Sequence, residues 1–353
     1  MRVSVSVDMQ ALRYFKEQYA ALHIIGAGSL LEFTLNSAEF RVPVGRVEFL
    51  YMYPLNFNEF LCAVGHEKLA QHLSQADLTT GIDPVAHTLL LKQLKLFFVL
   101  GGMPAVVQAH INSESLLRCQ EIQSFLLNTY RNDFGKYASL ANQHHCRRIF
   151  EKAPTLIAKH LKYNDIDPDV QSRSLKAALH LLIQAGLLFP VYESKANTLP
   201  LNATINEKKF KLLFLDIGLV NFSTQLNATT LMQDDLLLLN HGALAEQFAG
   251  QELIATQPFI HDPALYFWQR NQRNDAAEVD YIIQYQQHIV PIEIKAGKTG
   301  RLRSLHSFMN THNSPIGIKI SQEPLHLDGK ILSLPLYMIS ALNRLIATLM
   351  SNR

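Results

Sequence analysis

The run Pro291-Ile292-Glu293-Ile294-Lys295 alternates apolar and charged residues. Successive side chains of a strand point to opposite faces, so Glu293 and Lys295 share one face and Ile292 and Ile294 the other. A strand of this kind needs an apolar layer on one side and partners for its charges on the other. The preceding run, Ala277-Glu278-Val279-Asp280-Tyr281, carries Asp280, and a turn through Gln284 to His288 would pair the two runs as a hairpin. Upstream, the helical stretch Gly242 to Ala255 sets Glu246 in one stripe with Ala249, Gly250 and Leu253. That stripe is small and apolar and is expected to pack on the sheet, where a carboxylate is costly unless paired. From about Asp234 the chain therefore reads helix, three strands, helix, strand. The strands are Leu265 to Trp268, Glu278 to Gln284 and Ile289 to Lys295.

Glu246, Asp280, Glu293 and Lys295 suit metal-assisted phosphodiester hydrolysis. Carboxylate oxygens from Asp280, Glu293 and Glu246 would hold Mg²⁺ or Mn²⁺, hard cations that prefer oxygen. The metal would activate water and offset charge on the phosphate. Lys295, on the face of the second carboxylate, would orient that water or stabilise the developing charge. An E-x-K alone arises by chance in amphipathic strands. The same residues also read as a salt-bridged polar patch on a half-exposed sheet.

Composition narrows the classes. With 353 residues, 48% hydrophobic and 18% charged, the chain is a multidomain globular protein rather than a disordered one. No apolar run reaches the ~18 residues of a membrane span; His87 to Val107 is broken by Lys92, Gln93 and Lys95. No secretory leader is read at the N-terminus, and Cys62, Cys119 and Cys146 stand singly, as in a reducing cytosol. A cytoplasmic location is expected. The 32 basic residues nearly balance the 30 acidic ones, so any nucleic-acid binding must come from local patches. His144-His145 beside Cys146 points in diverging directions on a helix and is expected to hold no metal.

The middle of the chain offers such a patch. Val85 to Val99 and Leu116 to Tyr130 read as helices, with Gly101-Gly102-Met103-Pro104 a turn between them. Residues 144 to about 220 look like a winged helix: a helix from Arg147 to Lys159, a second from Ser172 that buries Leu175, Ala178, Leu179, Leu182 and Ile183, and a stop at Gly186. Strands at Leu187 to Tyr192 and Phe210 to Leu215 would then flank a loop from Glu193 to Lys209. If the second helix is the recognition helix, Gln171, Arg173, Lys176 and His180 are its exposed side chains, with Arg147 and Arg148 nearby, and DNA is the expected partner. A solvated basic helix face gives the same pattern.

The N-terminal part opens with a helix from Asp8 to Tyr19. It feeds a buried strand, Leu22 to Ile25, with a small-residue turn ending at Ser29, and a further strand from Val42 to Leu50. This is the second half of an α/β domain without its first strands.

Ordered matches over almost the whole chain carry a resemblance. They are Tyr14-Phe15-Lys16-Glu17, Gly28-Ser29-Leu30-Leu31-Glu32-Phe33, Pro43-Val44-Gly45-Arg46 and Pro54 to Leu61. Further on come Gly101 to Pro104, Asp133 to Tyr137, Leu215 to Leu219, Gly242 to Phe248, Ala277 to Tyr281 and Pro291 to Gly297. The chain resembles the prokaryotic AAA-type ATP-binding proteins whose C-terminal half is a domain of unknown function with a PD-(D/E)XK nuclease-like fold. The resemblance implies four parts: residues 1–61, a remnant of the AAA-type ATPase domain; 62–112, a helical lid; 113–225, winged-helix-like; and 226–353, restriction-endonuclease-like. It implies that Ser29 resembles the sensor of the γ-phosphate and Arg46 a phosphate-contacting arginine. Asp8-Met9-Gln10 stands where the Walker B acids would be. No G-x-x-x-x-G-K-[ST] occurs in the chain, so ATP, bound in full-length relatives, is not expected here. The chain is read as a truncated member, with a second copy as one possible cover for its half-sheet. All four nuclease-like positions are kept. The alternative is a DNA- or protein-interaction module with vestigial ATPase and nuclease sites.

Overall fold

The computed structural model describes residues 48–136, 138–225, 241–272, 275–295 and 302–351, with isolated positions between 15 and 25. Ser29 and Arg46, and nearly all of the helix and strands expected around them, lie outside the described residues.

The helical half is written in its caps. The Asn56 side chain accepts from the Glu59 N–H while the Glu59 carboxylate accepts from the Asn56 N–H, which starts α1 (Phe57–Ala63). After α2 (Glu67–Gln75), Asp83 caps α3 (Pro84–Leu100), with proline at the first turn where its missing N–H costs nothing. Gly101, at φ 74°, stops α3 and Pro104 opens α4 (Pro104–Ser113), so the turn falls where its composition predicts. Ser115 caps α5 (Leu116–Asp133). Among the described residues no single helix is long and apolar enough to cross a membrane. The pair α3 and α4 passes on length and composition but is bent by 115°, and α3 buries Leu90, Leu94, Phe97 and Phe98 in the protein core.

The next segment holds α6 (Leu140–Leu156), a short α7 (Tyr163–Ile166), α8 (Ser172–Gln184), and the antiparallel strands β1 (Leu188–Ser194) and β2 (Ile205–Phe214). The helix expected from Arg147 begins earlier because the Ser139 side chain caps the Asn142 N–H. The loop expected up to Lys209 ends sooner, at Ile205, where β2 already pairs with Ser194. α8 buries Leu175, Ala178, Leu179 and Leu182, as its spacing predicts, while Ile183, expected with them, is half-buried at the edge of the core; Gly186 follows at φ 67°.

The remaining elements are α9 (Ile217–Ser223), α10 (His241–Ala255), β3 (Leu265–Gln272), β4 (Asp275–Tyr285), β5 (His288–Ile294), α11 (Arg303–His312), β6 (Gly317–Ser321), β7 (His326–Asp328), β8 (Ile331–Pro335) and α12 (Leu342–Ser351). Two strands and a helix thus extend the pattern expected to close with β6. The eight strands form one sheet in the order β2-β1-β3-β4-β5-β6-β8-β7. It is mixed: β1–β3, β5–β6 and β6–β8 are parallel and the other pairs antiparallel. The fold is therefore mixed α/β. The hairpin expected as a wing supplies two strands of the sheet that carries Asp280 and Glu293.

α10 lies over one face of this sheet and α11 over the other. Gly250 lets α10 approach: a Cβ there would come 2.3 Å from a Leu213 methyl and 2.5 Å from the Tyr281 hydroxyl. On the other face Phe308 of α11 packs with Trp268, Val279 and Ile282. The main core runs without interruption from Phe57 in the helical half to Ile346 in α12.

Candidate functional site

Asp280 owes its position to a bulge. Tyr266 of β3 faces Ile282 of β4, but Trp268 faces Val279, so Phe267 alone spans Asp280 and Tyr281. The extra residue breaks the alternation of β4. Val279 and Ile282 both join the cluster under α11, while the Tyr281 hydroxyl donates to the Glu246 carbonyl of α10 at 2.8 Å. The β4–β5 pairing stops at Tyr281 and Ile292. Beyond that point Asp280 Oδ2 accepts from the Ile294 N–H at 2.7 Å, and a side chain replaces the missing strand.

Glu293 and Lys295 lie on one face as their spacing predicts, with Lys295 Nζ 2.5 Å from Glu293 Oε1. Glu293 is buried, and its Oε2 has no hydrogen-bond partner among the described residues. Burial, and after it the Asp280 charge, push the Glu293 carboxyl up to about 7. Asp280 is itself raised by burial, against the pull of Lys211.

Glu246 is placed differently from a shared ligand. Its Oε1 accepts from Lys211 Nζ at 2.9 Å, and that ammonium also lies 2.5 Å from Glu278 Oε1. Glu278 Oε2 is 2.8 Å from His160 Nε2, and the Phe267 ring centroid is 5.2 Å from the Lys211 nitrogen. Burial and Asp280 raise the Glu246 carboxyl even though Lys211 is in contact with it. For Glu278 burial also pushes upward, but the His160 hydrogen bond and the Lys211 charge reverse it, to about 2. Burial pulls Lys211 down, and Glu246, Asp280 and Glu278 more than restore it, so the ammonium stays charged.

The structure thus brings Glu246, Asp280, Glu293 and Lys295 into one electrostatic cluster, but as two ion pairs, Glu246–Lys211 and Glu293–Lys295, with Asp280 interacting with both. Among the described residues no group of three or more His, Cys, Asp or Glu is placed to hold a metal ion. A two-carboxylate site fits Mg²⁺ chemistry, because that ion keeps several waters and takes one or two carboxylates. The orphaned Glu293 oxygen beside Asp280 fits such a site. Sequence reading passed over Lys211, Glu278 and His160. Lys211 did leave a signal, a lone charge inside Phe210-Lys211-Leu212-Leu213-Phe214. Nothing local marked His160.

The basic positions lie elsewhere. Arg173, Lys176 and His180 are exposed on α8 and Gln171 just before it, and Arg147 and Arg148 on α6, where Arg148 Nε is 3.3 Å from Asp167 Oδ2. Cys146 is buried, and burial pushes its thiol up to about 12.

The fold and site define a mixed α/β chain with a buried carboxylate–lysine cluster assembled across one sheet. Residues 241–337 match a family model described as a domain of unknown function (DUF4143), a domain found in AAA-ATPase-associated proteins. Residues 91–230 match another, described as a domain of unknown function (DUF8612). No curated protein and no solved structure matches the chain. The cluster straddles the two models: His160 and Lys211 come from the 91–230 match, and Glu246, Glu278, Asp280, Glu293 and Lys295 from the 241–337 match.

Proposed function

We propose that the cluster is a divalent-metal-dependent, phosphodiester-hydrolysing site of the PD-(D/E)XK nuclease-like kind. In this reading residues 226–353 carry the site, 113–225 act as a winged-helix-like DNA-binding part, 62–112 form a helical lid and 1–61 belong to an AAA-type ATPase domain. The observation that carries it is the Glu293 Oε2 atom, buried and without a donor among the described residues, beside a half-buried second carboxylate, Asp280. Buried carboxylates held above their ordinary range favour a proton or a cation. Glu246, Asp280 and Glu293 are held so, and together with Glu278, which is held low, they share the ammonium groups of Lys211 and Lys295. Asp280 and Glu293 would hold Mg²⁺ or Mn²⁺, which when bound activates water and offsets phosphate charge. Lys295 holds Glu293 Oε1 and leaves Oε2 to the metal. Lys211 pairs with Glu246 and Glu278 without a second ion. Arg173, Lys176, Arg147 and Arg148 would meet the DNA backbone.

A second reading has one observation in its favour. Lys211 already neutralises Glu246 and Glu278, as in an interaction module whose metal site has been replaced by an internal salt bridge. Titration calorimetry with Mn²⁺ and a cleavage assay on duplex, nicked, branched and single-stranded DNA separate the two. The first reading expects millimolar or tighter metal binding and cleavage that Lys295→Met lowers by about a hundredfold or more. Lys295 is partly exposed, so the same substitution should move stability by less than ~1 kcal/mol. No Mn²⁺ binding, and no cleavage of any substrate by the wild type, would leave the interaction module.

A further inference from the structure

On the α11 side of the sheet, a cleft of about 600 Å³ opens between α11, β6 and the β7–β8 hairpin. That volume lies within the ~300–1,000 Å³ range of small-molecule sites. Its lining is mixed in an orderly way. Lys319 and Lys330 supply ammonium groups, and His306 and His326 supply ring nitrogens. Lys319 is buried and gives one N–H to Glu323 Oε2 at 2.6 Å, which leaves two of the three donors of an ammonium. His326 Nδ1 lies 2.9 Å from the Pro324 carbonyl, an acceptor only, so Nδ1 donates there and Nε2 is left for a ligand. Asp328, beside the turn glycine Gly329, is the acid of the lining. Met309 and Ile331 form an apolar patch in the same wall.

We propose that this cleft binds a nucleoside phosphate. A simple anion site has no use for Asp328 or for the apolar patch, and a purely apolar ligand has none for the lysines. A nucleotide uses all three: its phosphate meets Lys319 and Lys330, ribose hydroxyls donate to Asp328 and to His326 Nε2, and the base lies on Met309 and Ile331. The inference stands on the cleft alone and does not require hydrolysis. Lys319 is also the register partner of Glu293 on the neighbouring strand.

The test is equilibrium dialysis of the full chain, without added metal, against each nucleoside 5′-monophosphate, inorganic phosphate and a short single-stranded oligonucleotide. Binding of at least one nucleotide or of the oligonucleotide at ~1 mM or tighter is expected. Lys330→Ala, at an exposed position, and His326→Ala should each weaken it by about tenfold. Lys68→Ala, exposed on α2 and outside the cleft lining, should leave it unchanged. Binding of mononucleotides would assign the cleft to a free nucleotide, and binding of the oligonucleotide alone would assign it to a nucleotide within a strand. The proposal is overturned if no probe binds at ~10 mM, or if inorganic phosphate binds as tightly as the nucleotides. It also falls if the Lys330 and His326 variants bind like the wild type.

Discussion

Lys211 is the residue on which the cluster's charge balance rests. It is 2% exposed, touches Glu246 and Glu278, and interacts with Asp280. Removing one partner of a buried ion pair strands the other charge, at a typical cost of ~3–5 kcal/mol. Lys211→Met is therefore expected to lower stability by that order in a urea melt. Adding Glu246→Gln should recover part of the loss, and additive losses in the double variant would contradict the pairing. Glu252 poses the opposite case. It is buried on α10, its Oε1 accepts from the Phe57 N–H at 2.8 Å, and burial lifts its carboxyl from 4.5 to about 8. Between those values the folded state holds a proton that the unfolded chain has released, so stability from this group falls as pH rises from about 4.5 to about 8. Glu252→Gln keeps an oxygen acceptor without the titration. It should be more stable than the wild type at pH 8 by on the order of 1–3 kcal/mol, with the advantage fading toward pH 4.5. Thermal melts across that range check it, and a pH-independent difference would refute it.

At the scale of elements, the site depends on how closely α10 approaches the β4 bulge. Gly250 sits over Leu213 and Tyr281, and the Tyr281 hydroxyl, oriented by the bulge, binds the backbone of the same helix. A methyl group at Gly250 would have to displace a Leu213 methyl and that hydroxyl, so Gly250→Ala is expected to cost ~1–3 kcal/mol. Tyr281→Phe in the same chain removes one of the two obstructions and should reduce the added cost of the alanine. Denaturant melts of the four species in that double-mutant cycle measure the coupling. A cycle with no interaction energy would mean that α10 shifts freely on the sheet.

Over the whole molecule, four of the stretches that carry the resemblance, Pro54 to Leu61, Gly101 to Pro104, Leu215 to Leu219 and Gly242 to Phe248, meet in one buried junction. The Leu55 N–H donates to the Gly102 carbonyl, the Gly102 N–H to Asp216 Oδ2, and the Ile217 N–H to Gln251 Oε1. Gln247 holds both the N–H and the carbonyl of Phe214. A Cβ at Gly218 would come 2.3 Å from the Leu100 carbonyl oxygen, so α9 and the end of α3 touch backbone to backbone. α10 thus takes hydrogen bonds from segments that lie before residue 226. A fragment of residues 226–353 would lose the β1 partner of β3 and the partners of Glu246, Gln247, Gln251 and Glu252. It is expected to melt without a cooperative transition. In the full chain the fluorescence of Trp268 and the far-ultraviolet dichroism should unfold together. A cooperative melt of the fragment would show that the sheet is stable from β3 onward.

What the sequence determined by itself was local. The Asn56 and Glu59 cap, the Gly101 stop, the stripe of α8 and the shared face of Glu293 and Lys295 follow from spacings of two to four residues, because backbone geometry repeats over that distance. The tertiary structure alone decided which charges meet. Lys211 reaches Glu246 across 35 residues of sequence, and His160 reaches Glu278 across 118. The bulge that aims Asp280 exists only once β3 and β4 pair, since it is a mismatch between two strands and neither strand carries it alone. Local rules set where each side chain points on its own element. A buried charge is settled by the nearest opposite charge in space, and that neighbour is chosen by the order in which the strands come together.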